Sequence, residues 1–237
     1  MSRKLLHLSA SALFIITFVL FPKNISLSQE TSPFPKYNAV AEYNDVSVQS
    51  LYVPMRDGVK IAIDVVMPKS LAAGARIPAI LDMTRYWRAE SGSRPSSTAR
   101  FFAMHGYAFI MVDVRGSGAS FGVWRGPQSP EEIRDEGDLV SWIVAQSWSN
   151  EKVGAMGVSY EGSTAQMLAV SNHTAVKAII PEFHEYDDYT DIAFPGGILA
   201  DEIIRDWNAF NHQLDEGEGC AERGCLQSCA GDYFQGR

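Results

Sequence analysis

Val153-Gly154-Ala155-Met156-Gly157-Val158-Ser159-Tyr160-Glu161-Gly162 is the stretch on which the reading of this 237-residue chain turns. A short apolar run ends in a serine, and a helix is expected directly after it, from Tyr160 through Val170. A serine at a tight strand-to-helix turn projects its hydroxyl above the sheet. The helix N-terminus beside it offers backbone N–H groups and the positive end of a dipole to a developing oxyanion. Gly157 removes a Cβ two residues upstream, where the turn is expected to pack against the strand. Two readings are open at this point: Ser159 is a nucleophile, or it caps an ordinary helix. The spacing also departs from a plain G-x-S-x-G, because Glu161 stands where that pattern has glycine and Gly162 follows one place later.

Outward from this stretch the chain alternates strand-length apolar runs with helix-length segments. Ala79–Met83, Ala108–Val112, Val153–Met156 and Lys177–Ile180 read as buried strands. Ser97–His105, closed by Gly106, reads as a helix. So does Glu131–Gln146, with Pro130 before it, acids in its first turn, and Ile133, Leu139, Trp142, Ile143 and Val144 as its buried face. Upstream, Val46–Val53 and Val59–Met67 flank Asp57-Gly58, a strong turn signal, and predict an antiparallel hairpin. The sum is an α/β fold: a mostly parallel sheet opened by an antiparallel hairpin.

The ends differ in character. Arg3 and Lys4 precede an uncharged run from Leu5 to Pro22, which reads as a signal peptide over residues 1–28, cleaved near Ser28/Gln29; a retained membrane anchor is the alternative. Export to the periplasm or the medium is the expected location. Residues 29–45 form a polar lead-in. The chain holds 20 basic and 28 acidic residues, and the 1–28 segment contains Arg3, Lys4, Lys23 and no acid. The mature chain therefore has 17 against 28, a formal charge of −11, which disfavours nucleic acid as a partner. Cys220, Cys225 and Cys229 lie within a divergent tail, residues 216–237; their spacings fit no zinc template. The glycines of Gly116–Gly122 are not in dinucleotide-binding register, and no P-loop occurs.

Several strings, taken together and in order, resemble the cocaine esterase / Xaa-Pro dipeptidyl-peptidase (CocE/NonD) hydrolases. Gly157-Val158-Ser159-Tyr160-Glu161-Gly162 looks like that family's G-x-S-Y-x-G signature, in which the later glycine is normal. Val53-Pro54-Met55-Arg56-Asp57-Gly58-Val59 looks like its opening hairpin, and Asp113-Val114-Arg115-Gly116-Ser117-Gly118-Ala119-Ser120 like its D-x-R-G-x-G-x-S loop. Asp135-Glu136-Gly137-Asp138 with Trp142 and Trp148 looks like the helix before the elbow, and Phe194-Pro195-Gly196-Gly197 like the start of its cap. The match spans about residues 46–215.

The resemblance implies an α/β-hydrolase fold, with its core over residues 46–190 and the start of a helical cap over 191–215. It implies acyl transfer from an ester, an amide or a short Xaa-Pro peptide to Ser159 and then to water, with no metal or organic cofactor. The Tyr160 backbone N–H and the Tyr86 hydroxyl, in Thr84-Arg85-Tyr86-Trp87, would be the oxyanion donors. The partner class is a small ester, amide or peptide, and homo-oligomerisation is left open.

A serine of this kind needs an acid and a histidine later in the chain. The span after Ser159 offers His173, His184 and His212 with Asp187, Asp188, Asp191, Glu202, Asp206 and Asp215. Of the histidines only His184 is expected near the site, and for each a surface or structural role is the preferred reading. The expectation is therefore a truncated hydrolase, stopping before the last strands and lacking the triad acid and base. A catalytically inactive remnant or binding protein is the alternative. Some relatives hold a substrate ammonium with carboxylates, which gives the acidic stretch Glu182–Asp191 a second meaning beside that of a solvated loop.

Overall fold

The computed structural model describes residues 40–88 and 95–217. The signal-peptide reading, most of the lead-in and the cysteine tail lie outside the described residues. Among the described residues, no helix is long and apolar enough to cross a membrane.

The hairpin forms as the sequence predicts. Strands β1 (Val46–Pro54) and β2 (Lys60–Pro68) pair antiparallel, from Val46 opposite Pro68 to Pro54 opposite Lys60. Their turn closes through Met55 N–H to Val59 C=O at 2.8 Å, with Gly58 at φ 83°, a conformation that favours glycine. Strands β3 (Ile77–Thr84), β4 (Ala108–Asp113), β5 (Ser149–Val158) and β6 (Val176–Glu182) complete a six-stranded sheet of order β1-β2-β4-β3-β5-β6. β2 meets β4 antiparallel, and the remaining neighbours are parallel. The fold is thus α/β with a parallel core and an antiparallel edge.

Alternate residues of the central strands fill two cores, as the pleat requires. Leu81, Ile110 and Val112 face helices α2 (Pro130–Val144) and α3 (Tyr160–Val170), where Leu139, Ile143 and Leu168 are fully buried. Ile80, Phe109 and Val66 face α1 (Ser97–Met104), packed against Ala99 and Ala103. α1 and α2 begin with side-chain caps: Ser96 accepts from Ala99 N–H, and Ser129 from Glu132 N–H ahead of Pro130.

One expectation about α2 needs correction. Ile133, Trp142 and Val144 are only half-buried. The inward face instead carries Glu132, Asp135 and Glu136 beside Leu139, Val140 and Ile143. Partners from distant segments make this tolerable for two of the three acids: Asp135 receives Arg115, and Glu132 receives a tyrosine hydroxyl. After β6 the chain makes a short π-helical turn (Asp188–Ala193), a 3-10 turn (Pro195–Gly197) and the amphipathic helix α4 (Asp201–Glu216), stopped by Gly217 in the left-handed region.

Candidate active site

The family-like motifs upstream of the elbow form its scaffold. Arg56 pairs with Asp138 at 2.7 Å and reaches Asp135 at 3.3 Å. Asp57, in the hairpin turn, pairs with Arg115 at 2.7 Å, and Arg115 also grips buried Asp135 at 2.6 Å. The hairpin turn, the loop after β4 and helix α2 are therefore held by one ionic cluster. Within that loop Asp113 pairs with Arg88 and accepts the N–H of Ala119 at 2.9 Å. A side chain at Gly118 would collide with that carboxylate, and one at Gly116 with the Trp124 backbone. The glycines of this loop allow close approach, and they bring Trp124 under the site.

Strand β5 turns into α3 at Ser159, whose backbone sits at φ 61°, ψ −121°. This region is rare for a non-glycine residue and is held only where the surroundings dictate it. The surroundings are visible. Ser159 N–H points at the carbonyls of Glu182 (3.0 Å) and Phe183 (3.1 Å) at the end of β6. A Cβ on Gly162 would lie 2.5 Å from the Glu182 carbonyl oxygen, so the later glycine of the signature is where α3 crosses β6. Gly157, expected to pack against the strand, is instead needed because its Cβ would strike Glu161 in the first turn of α3. Glu161 accepts a short hydrogen bond from Thr84 Oγ1, which ties the end of β3 to the start of α3.

The Ser159 side chain makes no capping hydrogen bond and is exposed. The helix-cap reading of this residue therefore fails on geometry. Tyr160 opens α3, and the N–H groups of a first helical turn have no acceptor within the helix. Its side chain turns inward: the hydroxyl donates to Glu132 Oε1 at 2.8 Å and accepts from Trp124 Nε1 at 3.2 Å. Burial drives its phenol well above the usual range.

Tyr86 follows β3 and is half-buried. Its ring meets Tyr160 edge-on at 5.7 Å and leans on Phe210 of α4 at 5.6 Å. Burial raises its phenol, while hydrogen bonds with Trp207 and with the Ser159 side chain pull the other way. The structure thus brings Ser159, Tyr86 and the start of α3 together. Next to Tyr86, Arg85 is buried, lies 4.7 Å over the Trp124 ring and pairs with Asp215 of α4 at 2.7 Å.

The histidines have other employment. His184 lies beside Gly162, but its Nδ1 bonds the Glu185 carbonyl. His173 accepts from Ala175 N–H, and His212 pairs on the surface with Glu216. Among the described residues, none is hydrogen-bonded to Ser159. In the acidic stretch, Glu185 accepts from Ser163 (2.8 Å) and Gln128 (3.2 Å). Burial, then the neighbouring Glu185, push Asp188 up to about 6. Asp187 and Asp191 are exposed and serve the local turn. No group of three or more His, Cys, Asp and Glu among the described residues is arranged to hold a metal ion.

Two residues beside the site escaped sequence reading, Trp124 and Trp207. Both donate to tyrosine hydroxyls, and both owe their position to tertiary packing. The one available sequence signal was an aromatic pair, Trp207 and Phe210, at helical spacing on α4.

With this geometry in view, comparison with known proteins is informative. The family model for X-Pro dipeptidyl-peptidase (S15 family) matches residues 57–224, more than half of the chain. A Mycobacterium bovis chain whose given name proposes a serine esterase is 45% identical over 194 residues, covering 75% of this chain and 31% of the relative. The cocaine esterase of a Rhodococcus species is 36% identical over 163 residues, 68% of this chain and 28% of the relative. A solved CocE/NonD family hydrolase from Staphylococcus aureus superposes with a TM-score of 0.65 at 28% identity, over 73% of this chain and 34% of its own. The chain spans about a third of the length of these relatives.

Proposed function

The chain belongs to the X-Pro dipeptidyl-peptidase (S15) family of serine hydrolases, and from that premise we propose that Ser159 is an acyl-accepting nucleophile. In this reading Ser159 Oγ attacks the carbonyl carbon of an ester or amide, and its proton passes to a base. The carbonyl electron pair moves onto oxygen, facing the Tyr160 N–H and the Tyr86 O–H. Collapse expels the alcohol or amine, which takes a proton as it leaves. Water then reverses the sequence and frees the acid. The Tyr86 phenol suits an oxyanion donor because a phenol carries its proton at neutral pH, and burial moves its titration further up.

The observation that carries the proposal is the Ser159 backbone at φ 61°, with an uncapped, exposed hydroxyl next to Tyr160, whose ring meets the Tyr86 phenol edge-on at 5.7 Å. Strain of this kind persists where a site needs it. A second reading, a non-catalytic remnant or binding module, is favoured by one fact: among the described residues no histidine is bonded to Ser159. A fluorophosphonate probe separates the two, since it reacts with an activated serine. The expected result is a single adduct at Ser159, located by peptide mass spectrometry and lost in Ser159→Ala. A native protein that stays unlabelled supports the second reading.

A further inference from the structure

Two indole N–H groups each end on a phenol oxygen beside the elbow. Trp124 Nε1 donates to the Tyr160 hydroxyl at 3.2 Å, and Trp207 Nε1 donates to the Tyr86 hydroxyl at 2.7 Å. The two indole rings lie 6.0 Å apart. A phenol has one proton to give and an oxygen that accepts. When an indole takes the accepting side, the O–H is left to point elsewhere. Tyr160 spends its proton inward, on Glu132 Oε1 at 2.8 Å. Tyr86 keeps its proton to give, and its ring lies edge-on to Tyr160, the residue after Ser159, at 5.7 Å. The same pairing serves twice, once as a brace within the core and once at the exposed serine.

Trp207 belongs to α4, 48 residues beyond the nucleophile. That helix is seated by the Arg85–Asp215 ion pair, by Leu214 packed on Trp87, and by Phe210 against the Tyr86 ring. Its seat is built from Arg85, Tyr86 and Trp87, the same loop that presents the phenol.

We propose that Trp207 is a positioning residue for Tyr86: its indole N–H occupies the accepting side of the phenol oxygen and holds the phenol O–H toward Ser159. The oxyanion donor is then complete only while α4 is docked. This rests on the reading of Tyr86 as an oxyanion donor. A donor oriented beforehand costs no reorganisation as charge develops, and a hydrogen bond received at its oxygen strengthens the one it gives. The charged groups that act on Tyr86 are Glu161 and Glu185; both raise its phenol, as burial does, against the hydrogen bonds with Trp207 and Ser159.

The test uses the whole chain carrying Tyr labelled with carbon-13 at Cζ, with the Tyr86 signal assigned through Tyr86→Phe. Two variants remove the donor: Trp207→Phe, and replacement of Trp207 by 3-benzothienylalanine. The second keeps the bicyclic shape and exchanges only N–H for sulfur, so packing and folding are preserved. In both, the Tyr86 titration should move to higher pH, and fluorophosphonate labelling of Ser159 should slow by about fivefold, the equivalent of one ordinary hydrogen bond. An unmoved Tyr86 titration in the benzothienyl variant overturns the proposal. So does a moved titration with an unchanged labelling rate. If the parent protein is not labelled at all, the nucleophile reading falls, and the titration alone decides whether Trp207 governs the phenol.

Discussion

At Gly162 a single methyl group would meet the Glu182 carbonyl oxygen at 2.5 Å, and at Ser159 the backbone is held at φ 61°. Both residues were singled out from the sequence, and both owe their form to the same crossing of α3 over β6. On the inward face of α2 the economy is different. Glu136 is fully buried, and neither carboxyl oxygen has a partner. Burial, then the nearby Glu132 and Asp135, hold its carboxyl well above the usual range, and burial raises Glu132 to about 7. The sign of the linkage follows. Each group binds its proton more tightly when folded, so stability is greatest below the unfolded carboxyl range. It falls as pH rises from there and has been lost once pH has passed through the folded titration. Glu136→Leu should therefore raise unfolding free energy by about 1–3 kcal/mol at pH 8, with a smaller gain at pH 5. Urea titrations at the two pH values measure it, and equal gains at both would contradict the protonation account.

At the scale of elements, the strands were legible because each is a short apolar run bounded by turn residues. Ala108–Val112, for instance, became β4 with one further residue, Asp113. The elbow was legible because strand, serine and helix are contiguous in sequence. The inward face of α2 was not. Its acids look like a solvated stripe until Arg115, twenty residues upstream, and Tyr160, past the next strand, are folded onto it. Trp207 was hidden for the same reason, since its role is set by how α4 sits on the loop after β3. The cluster of Arg56, Asp57, Arg115, Asp135 and Asp138 therefore bears weight that no single element shows. Removing Arg115 leaves Asp135 buried without its principal counter-ion, and losses of about 3–5 kcal/mol accompany such breaks. Arg115→Met should show a loss of that size in chemical denaturation. A change under about 1 kcal/mol would mean that Arg56 alone satisfies Asp135.

Across the whole molecule, the sheet is protected unevenly. β3 and β4 are covered on both faces, whereas β6 is the edge among the described strands, with Ile180 54% exposed and Val158 beside it 53% exposed. Ile180 also lines an open groove of about 240 Å³ with Phe102, Tyr107 and Met156. An apolar edge of this kind recruits other chains. Sedimentation equilibrium should show self-association that Ile180→Lys reduces, and a parent protein that is monomeric at every concentration would refute it.

The ionic cluster has a consequence for the order in which the molecule comes into being. The Arg56 N–H bonds a carboxylate 82 residues further along the chain. On a ribosome the opening hairpin is made before its partners exist: Asp57 waits for Arg115, and Arg56 waits longer, until α2 emerges. The middle of the sheet waits likewise, because β3 is flanked by β4 and β5, both synthesised after it. Birth order and contact order thus differ: strands made early take their sheet neighbours and counter-ions from segments made later.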